Sequence, residues 1–222
     1  MIEPTPAEGH REQPSRPSAT SRVEAFSDGV FAIAITLLVL EVRVPSHADI
    51  EASGSLFSAL RHSWPSYLSY LATFLTIGVI WLNHHAVFAK IRGIDRTLQW
   101  WNLMLLLAVS FTPFPNALVA DFLRDGMFSE PARTATAVYA LVFTLSTVPW
   151  VFMWNHLAQH PDLLEPAYPP GYALRERRRA AVGVVLYGLS IGVAFAAPLV
   201  AVLLFIASAV FYALTAEGST EI

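Results

Sequence analysis

Residues 22–41 read Arg22-Val-Glu-Ala-Phe-Ser-Asp-Gly-Val-Phe-Ala-Ile-Ala-Ile-Thr-Leu-Leu-Val-Leu-Glu41. The run is apolar over bilayer length, yet it carries Ser27, Asp28 and Gly29 in its first turns. A carboxylate at membrane depth costs roughly 2.5–3.5 kcal/mol, so Asp28 must face protein or water and find a partner. Advancing about 100° per residue along a helix places Arg22, Phe26, Ile33, Leu37 and Leu40 on one narrow stripe, bordered by Thr36. Asp28 falls on nearly the opposite side. The helix therefore has an apolar seam on one face and polar groups on the other. A seam of this kind packs well against copies of itself.

Five more apolar segments follow, at about 56–88, 98–120, 132–155, 180–196 and 198–214. The last two meet at Ala197-Pro198, where the proline removes a backbone donor and suits a first helical turn. Without a break there, a single helix of roughly 35 residues would overshoot the bilayer. Composition agrees with a membrane chain: 55% of the 222 residues are hydrophobic and only 14% charged, against about a quarter charged in soluble domains. The reading is an all-α membrane protein with six transmembrane helices. It has a disordered tail over 1–20, a membrane domain over 21–216 and a short tail over 217–222.

With the N-terminus inside, the inner segments hold ten of the fourteen basic residues: Arg11, Arg16, Arg22, Lys90, Arg92, Arg96, Arg175, Arg177, Arg178 and Arg179. Arg43, Arg61, Arg124 and Arg133 lie outside. The positive-inside rule thus predicts a multi-pass cell-membrane protein with both termini cytoplasmic. Five spans would leave the same inner loops, so charge alone does not separate five from six. The Arg-rich run at 175–179 reads as a topological anchor; an anionic-lipid site is the alternative.

Several function classes drop out. The net charge of −3 argues against nucleic acid as a partner, and zero cysteines exclude disulfides, thiolate metal sites and thiol nucleophiles. His84 and His85 are adjacent and diverge by about 100° on a helix, so they do not readily share a metal ion. No nucleophile or metal constellation for an enzyme can be assembled, and neither a metal nor a cofactor is expected. His156 and His160 read as solvated side chains of an interfacial loop. Trp64, Tyr67, Trp100, Trp101, Trp150 and Trp154 read as aromatic belts at span ends. Pro113 and Pro115 should end or kink the third span, and Gly183, Gly188 and Gly192 should allow close helix approach in the fifth.

The motif Arg22-x-x-x-Phe26-Ser27-Asp28 with its apolar continuation closely resembles the first helix of the transmembrane-protein-175 family, potassium channels of lysosomes with single-repeat prokaryotic relatives. Trp81-x-x-His84-His85-x-x-Phe88, Asn102-Leu-Met-Leu-Leu-Leu and Phe111-Thr-Pro-Phe-Pro115 are similar to the ends of that family's second helix and to its third. The resemblance implies a homotetramer in the lipid bilayer, with the first helix of each subunit lining a central pore and K+ permeating. It makes Ile33 the narrowest apolar ring, Leu37 and Leu40 its continuation, and Thr36 a ring of hydroxyls assisting selectivity. No Thr-Val-Gly-Tyr-Gly carbonyl filter occurs in the sequence. Arg22, Phe26, Ser27, Asp28, Trp81, His84, His85 and Asn102 are the members expected of a structural polar network that sets the angle of the pore helix. A proton channel or proton-coupled transporter using Asp28 and His84 or His85 is the alternative.

Overall fold

Proline and serine set most of the helix boundaries in the computed structural model, which describes residues 19–124 and 126–215. Helix α1 runs over Ala19–Leu37 and tightens into a 3-10 turn at Leu38–Glu41. It thus includes the last two residues of the tail expected over 1–20; the rest of that tail, and the tail at 217–222, lie outside the described residues. Two short helices follow, α2 (His47–Ser53) and α3 (Leu56–His62). Ser46 and Asp49 form a reciprocal capping box on α2, and Ser55 caps α3.

The second apolar segment is not one helix. Helix α4 begins at Trp64 and ends at Phe88. Pro65 lacks the N–H that a continuous helix from α3 would need and would clash with the carbonyl of Arg61, so the chain turns at Ser63. Prolines act the same way in the third segment. Asp95 caps α5 (Arg96–Ser110), and α6 (Pro113–Phe122) restarts at Pro113. Together α5 and α6 have the length of one span.

Helix α7 covers Glu130–Gln159, capped by Ser129. Helix α8 begins at Tyr172, well before the 180 expected from the apolar run, and ends at Ala196. The Arg-rich run is therefore the first turns of a helix and not a loop. Long basic side chains can reach water from such a position, which hydropathy alone does not register. Ala197, at φ −150° and ψ 84°, separates α8 from α9 (Pro198–Thr215). Among the described residues, α1, α4, α5 with α6, α7 and α8 are long and apolar enough to cross a membrane; α9 is a shorter apolar helix.

Two loops define one end of the bundle. The segments after α4 and α7 pair through an antiparallel bridge at Ile91 and Leu164, with Arg92 N–H to the Leu163 carbonyl (2.9 Å) and Glu165 N–H to the Lys90 carbonyl (3.0 Å). This gathers Lys90 and Arg92 at the same end as the basic first turns of α8. At the opposite end Arg43 meets Asp121 at 4.0 Å. Helices α4, α6, α7 and α9 share a core around Tyr139, Phe143 and Phe205. Helix α1 joins through Phe31, Ala34 and Leu38, packed on Ile77, Leu105 and Val109 of α4 and α5. Trp154 is buried beside Phe88 and Leu157 rather than lying in a belt, whereas Trp100 is exposed.

Candidate functional site

Ser27, Phe31, Ala34 and Leu38 recur at steps of four, three and four, and form the buried face of the first span. At its start the Ser27 hydroxyl donates to the Val23 carbonyl (2.8 Å). The same oxygen accepts from Asn102 Nδ2 on α5 (2.9 Å), and Asn102 Oδ1 accepts from His84 Nε2 on α4 (2.9 Å). A backbone carbonyl only accepts, so every link donates toward Val23 and the proton of His84 sits on Nε2. All three side chains are buried. Three helices are thus joined at fixed rotation and depth by one directional chain, the arrangement in which buried hydrogen bonds reinforce one another.

The rings of Phe31, Phe88 and Trp150 enclose His84, with centroids at 5.4, 4.1 and 6.2 Å. Its Nδ1 is buried without a partner. A second link lies nearer the surface, where Trp81 Nε1 donates to Asp28 Oδ1 (2.8 Å). His85 Nδ1 meets Glu24 Oε1 at 3.0 Å, a partner the sequence did not single out. The expected members therefore fall in two hydrogen-bonded sets, Ser27–Asn102–His84 and Asp28–Trp81, with the His85 ring stacked on Trp81 at 6.4 Å between centroids. Arg22 has no hydrogen-bond or ion-pair partner among the described residues, and Phe26 points the other way.

That other face is bare. Phe26 is 57% exposed, Ile33 61%, Leu37 42% and Leu40 74%. Thr36 borders them, its hydroxyl donating to the Ala32 and Ile33 carbonyls (3.0 and 2.9 Å). With its hydrogen used inside the helix, the Thr36 oxygen presents only lone pairs outward. One side of α1 is held by packing and hydrogen bonds, and the other offers an apolar stripe with an acceptor oxygen at its edge.

Elsewhere two expectations change. His156 is not a solvated loop side chain: its Nε2 meets Asp95 Oδ2 at 2.6 Å, and the same carboxylate caps α5 through Leu98 N–H (2.9 Å). Burial works against the Asp95 charge, but the Leu98 N–H and His156 outweigh it and hold the carboxyl below its ordinary value of 3.8. Gly188 approaches Thr144, as close packing of α8 on α7 needs, but a Cβ at Gly183 or Gly192 would meet nothing. A buried staple escaped the sequence reading entirely. Tyr139 hydroxyl donates to Thr73 Oγ1 (3.0 Å), which donates to Asn116 Oδ1 (2.9 Å), tying α7 to α4 and α6. Among the described residues no cluster of His, Asp and Glu converges as a metal site.

The family described as endosomal/lysosomal potassium channel TMEM175 matches residues 22–113, which hold all three links of the Ser27–Asn102–His84 chain. A protein from Streptomyces collinus named as a potassium channel is 42% identical over 181 residues, covering 81% of this chain and 85% of that one. The chain belongs to the TMEM175 family. The TMEM175 fold extends beyond the matched stretch. The crystal structure of a TMEM175 homologue from Chamaesiphon minutus, described as a lysosomal potassium-selective channel homologue, superimposes with a TM-score of 0.76 at 38% identity, covering 88% of this chain and 96% of that one. A relative from Rattus norvegicus named as the endosomal/lysosomal proton channel TMEM175 is 33% identical over 175 residues, 72% of this chain but 35% of that one.

Proposed function

We propose that the chain is one subunit of a homotetrameric, potassium-permeable channel of the cell membrane. Each subunit crosses the bilayer six times, α9 making the sixth span, within a membrane domain over 21–216 whose two ends are cytoplasmic. The exposed faces of four α1 helices meet around the pore. The observation that carries this reading is the two-sidedness of α1: buried hydrogen bonds hold one face while Ile33, Leu37 and Leu40 stand uncovered on the other. The names of the bacterial relatives support potassium as the permeant ion.

In this pore Ile33 forms the narrowest ring and Leu37 and Leu40 continue the constriction. A ring of isoleucines offers no oxygen to replace lost hydration water, so when narrow it dewets and blocks ions. Slightly wider, it passes an ion that sheds part of its shell, and potassium sheds water more readily than sodium. The outward lone pairs of Thr36 compensate part of that loss for a cation, which sharpens the preference without a carbonyl filter.

Ion flux into liposomes holding the purified protein tests the reading, with potassium and sodium gradients compared for wild type and Ile33→Asn. We expect flux in wild type with potassium preferred, and larger, less selective flux in the variant. Unchanged conductance and preference in Ile33→Asn would mean that the constriction lies elsewhere. The name of the rat relative favours a second reading, proton conduction through Asp28 and His84 or His85. It predicts a change of internal pH that Asp28→Asn abolishes. The aromatic enclosure of His84 weighs against that route, since a relay needs an exchange partner at both ring nitrogens and Nδ1 has none among the described residues.

A further inference from the structure

At the basic end of the bundle, α8 packs on α7 and leaves a gap toward α4. The gap is a cavity of about 580 Å³ with two unlike ends. Its body is largely apolar, with Ile80, Val182 and Gly183 among its walls beside Asn83 and Thr147; its other end carries Lys90, Arg178, Arg179 and Glu176. Glu176 pairs with Arg179 at 3.2 Å, which leaves Lys90 and Arg178 as the excess positive charge. Lys90 Nζ is held over the rings of Tyr172 and Tyr168, at 5.6 and 5.9 Å from their centroids. Gly183 faces open space, since a Cβ there would meet no atom within 4 Å.

We propose that this cavity binds one anionic phospholipid of the surrounding leaflet, with the phosphate at Lys90 and Arg178 and an acyl chain against Ile80, Val182 and Gly183. The two ends match the two ends of such a molecule. An apolar cavity opening to the bilayer fills with hydrocarbon, because an empty one forfeits dispersion contacts along its whole lining. A basic cluster at the membrane surface attracts anionic headgroups, each Lys or Arg adding to the attraction. A helix of a second copy fits poorly: at about 10–12 Å across, little more than one turn would fill the volume. The Arg-rich run that reads as a topological anchor would thereby also serve recognition.

Native mass spectrometry of the purified full chain tests this without any ion flux, so its failure is separate from that of the channel reading. Phosphatidylglycerol and phosphatidylcholine of identical chains are compared on wild type, Arg178→Glu, Gly183→Trp and, as a control on the bare face of α8, Val185→Trp. We expect wild type to retain phosphatidylglycerol at least ten-fold over phosphatidylcholine, at one per subunit. Arg178→Glu should abolish the preference, Gly183→Trp should abolish retention, and Val185→Trp should change neither. Gly183→Leu replaces the tryptophan variant if the latter does not fold. Equal retention of both lipids by wild type, or undiminished retention in the filled variant, overturns the proposal. So does full displacement by inorganic phosphate, which would assign the charged end to a free anion. A changed subunit number in the Gly183 variant would assign the cavity to a second copy and equally overturn it.

Discussion

Asn102 is used at both ends of its amide: it accepts from His84 and donates to Ser27, each at 2.9 Å. A primary amide supplies a donor and an acceptor from one side chain. Asn102→Leu keeps the volume but strands a buried N–H and a buried hydroxyl oxygen, at about 1–3 kcal/mol each. Thermal unfolding in detergent should fall accordingly, and an unchanged Tm would show that the chain does not anchor α1. Asp95 makes a different prediction. Its carboxyl lies below the ordinary 3.8, after burial is outweighed by the Leu98 N–H and His156. A lowered native pKa contributes stability above the ordinary value, and that contribution is lost as pH falls through the lowered one. Stability measured in acid should therefore drop below pH 3.8 in wild type. Asp95→Asn keeps a capping side chain and should lose this part of the slope; identical acid profiles would refute the assignment.

The two faces of α1 separate stability from conduction within one element. Ala34 is buried among Ile77, Leu105 and Val109, whereas Ala32 lies on the bare face beside Ile33. Leucine at Ala34 overpacks a filled site at about 1–3 kcal/mol. Leucine at Ala32, which is exposed, should change stability by no more than about 0.5 kcal/mol, while reducing potassium flux by narrowing the pore. Melting and flux assays on the pair check this, and the opposite pattern would place the pore on the other face. Helix α1 was legible in this way because a period of about 3.6 sorts its residues regardless of context. Helix α8 was not, because four arginines in its first turns look like a loop to hydropathy although their stems can lie along a helix. The break at Ser63 was missed because Pro65 sits in an otherwise apolar stretch.

In the assembled molecule, four copies of the exposed stripe would surround one axis. The chain has no cysteine, so single cysteines report proximity without background. Leu40→Cys, on the bare face, should form disulfide-linked pairs on mild oxidation. Val185→Cys, on the outer face of α8 and also exposed, should remain monomeric on a non-reducing gel. Equal crosslinking at both positions would contradict a tetramer built around α1.

The sequence by itself determined the membrane environment, the rough spans, the break at Ala197-Pro198 and the amphipathic division of α1, since each depends on local composition and periodicity. It also selected Ser27, His84 and Asn102 as polar residues in need of partners, because an unpaired polar group in hydrocarbon is costly. Only the tertiary structure decided who those partners are. Ser27 and Asn102 are 75 positions apart and His84 and Asn102 are 18 apart, and whether they meet depends on the rotation and depth of three helices. The same holds for Asp95 with His156, for the Thr73 staple and for the cavity between α4 and α8. Each arises where helices from distant parts of the chain pack, and no local pattern encodes the distance between them.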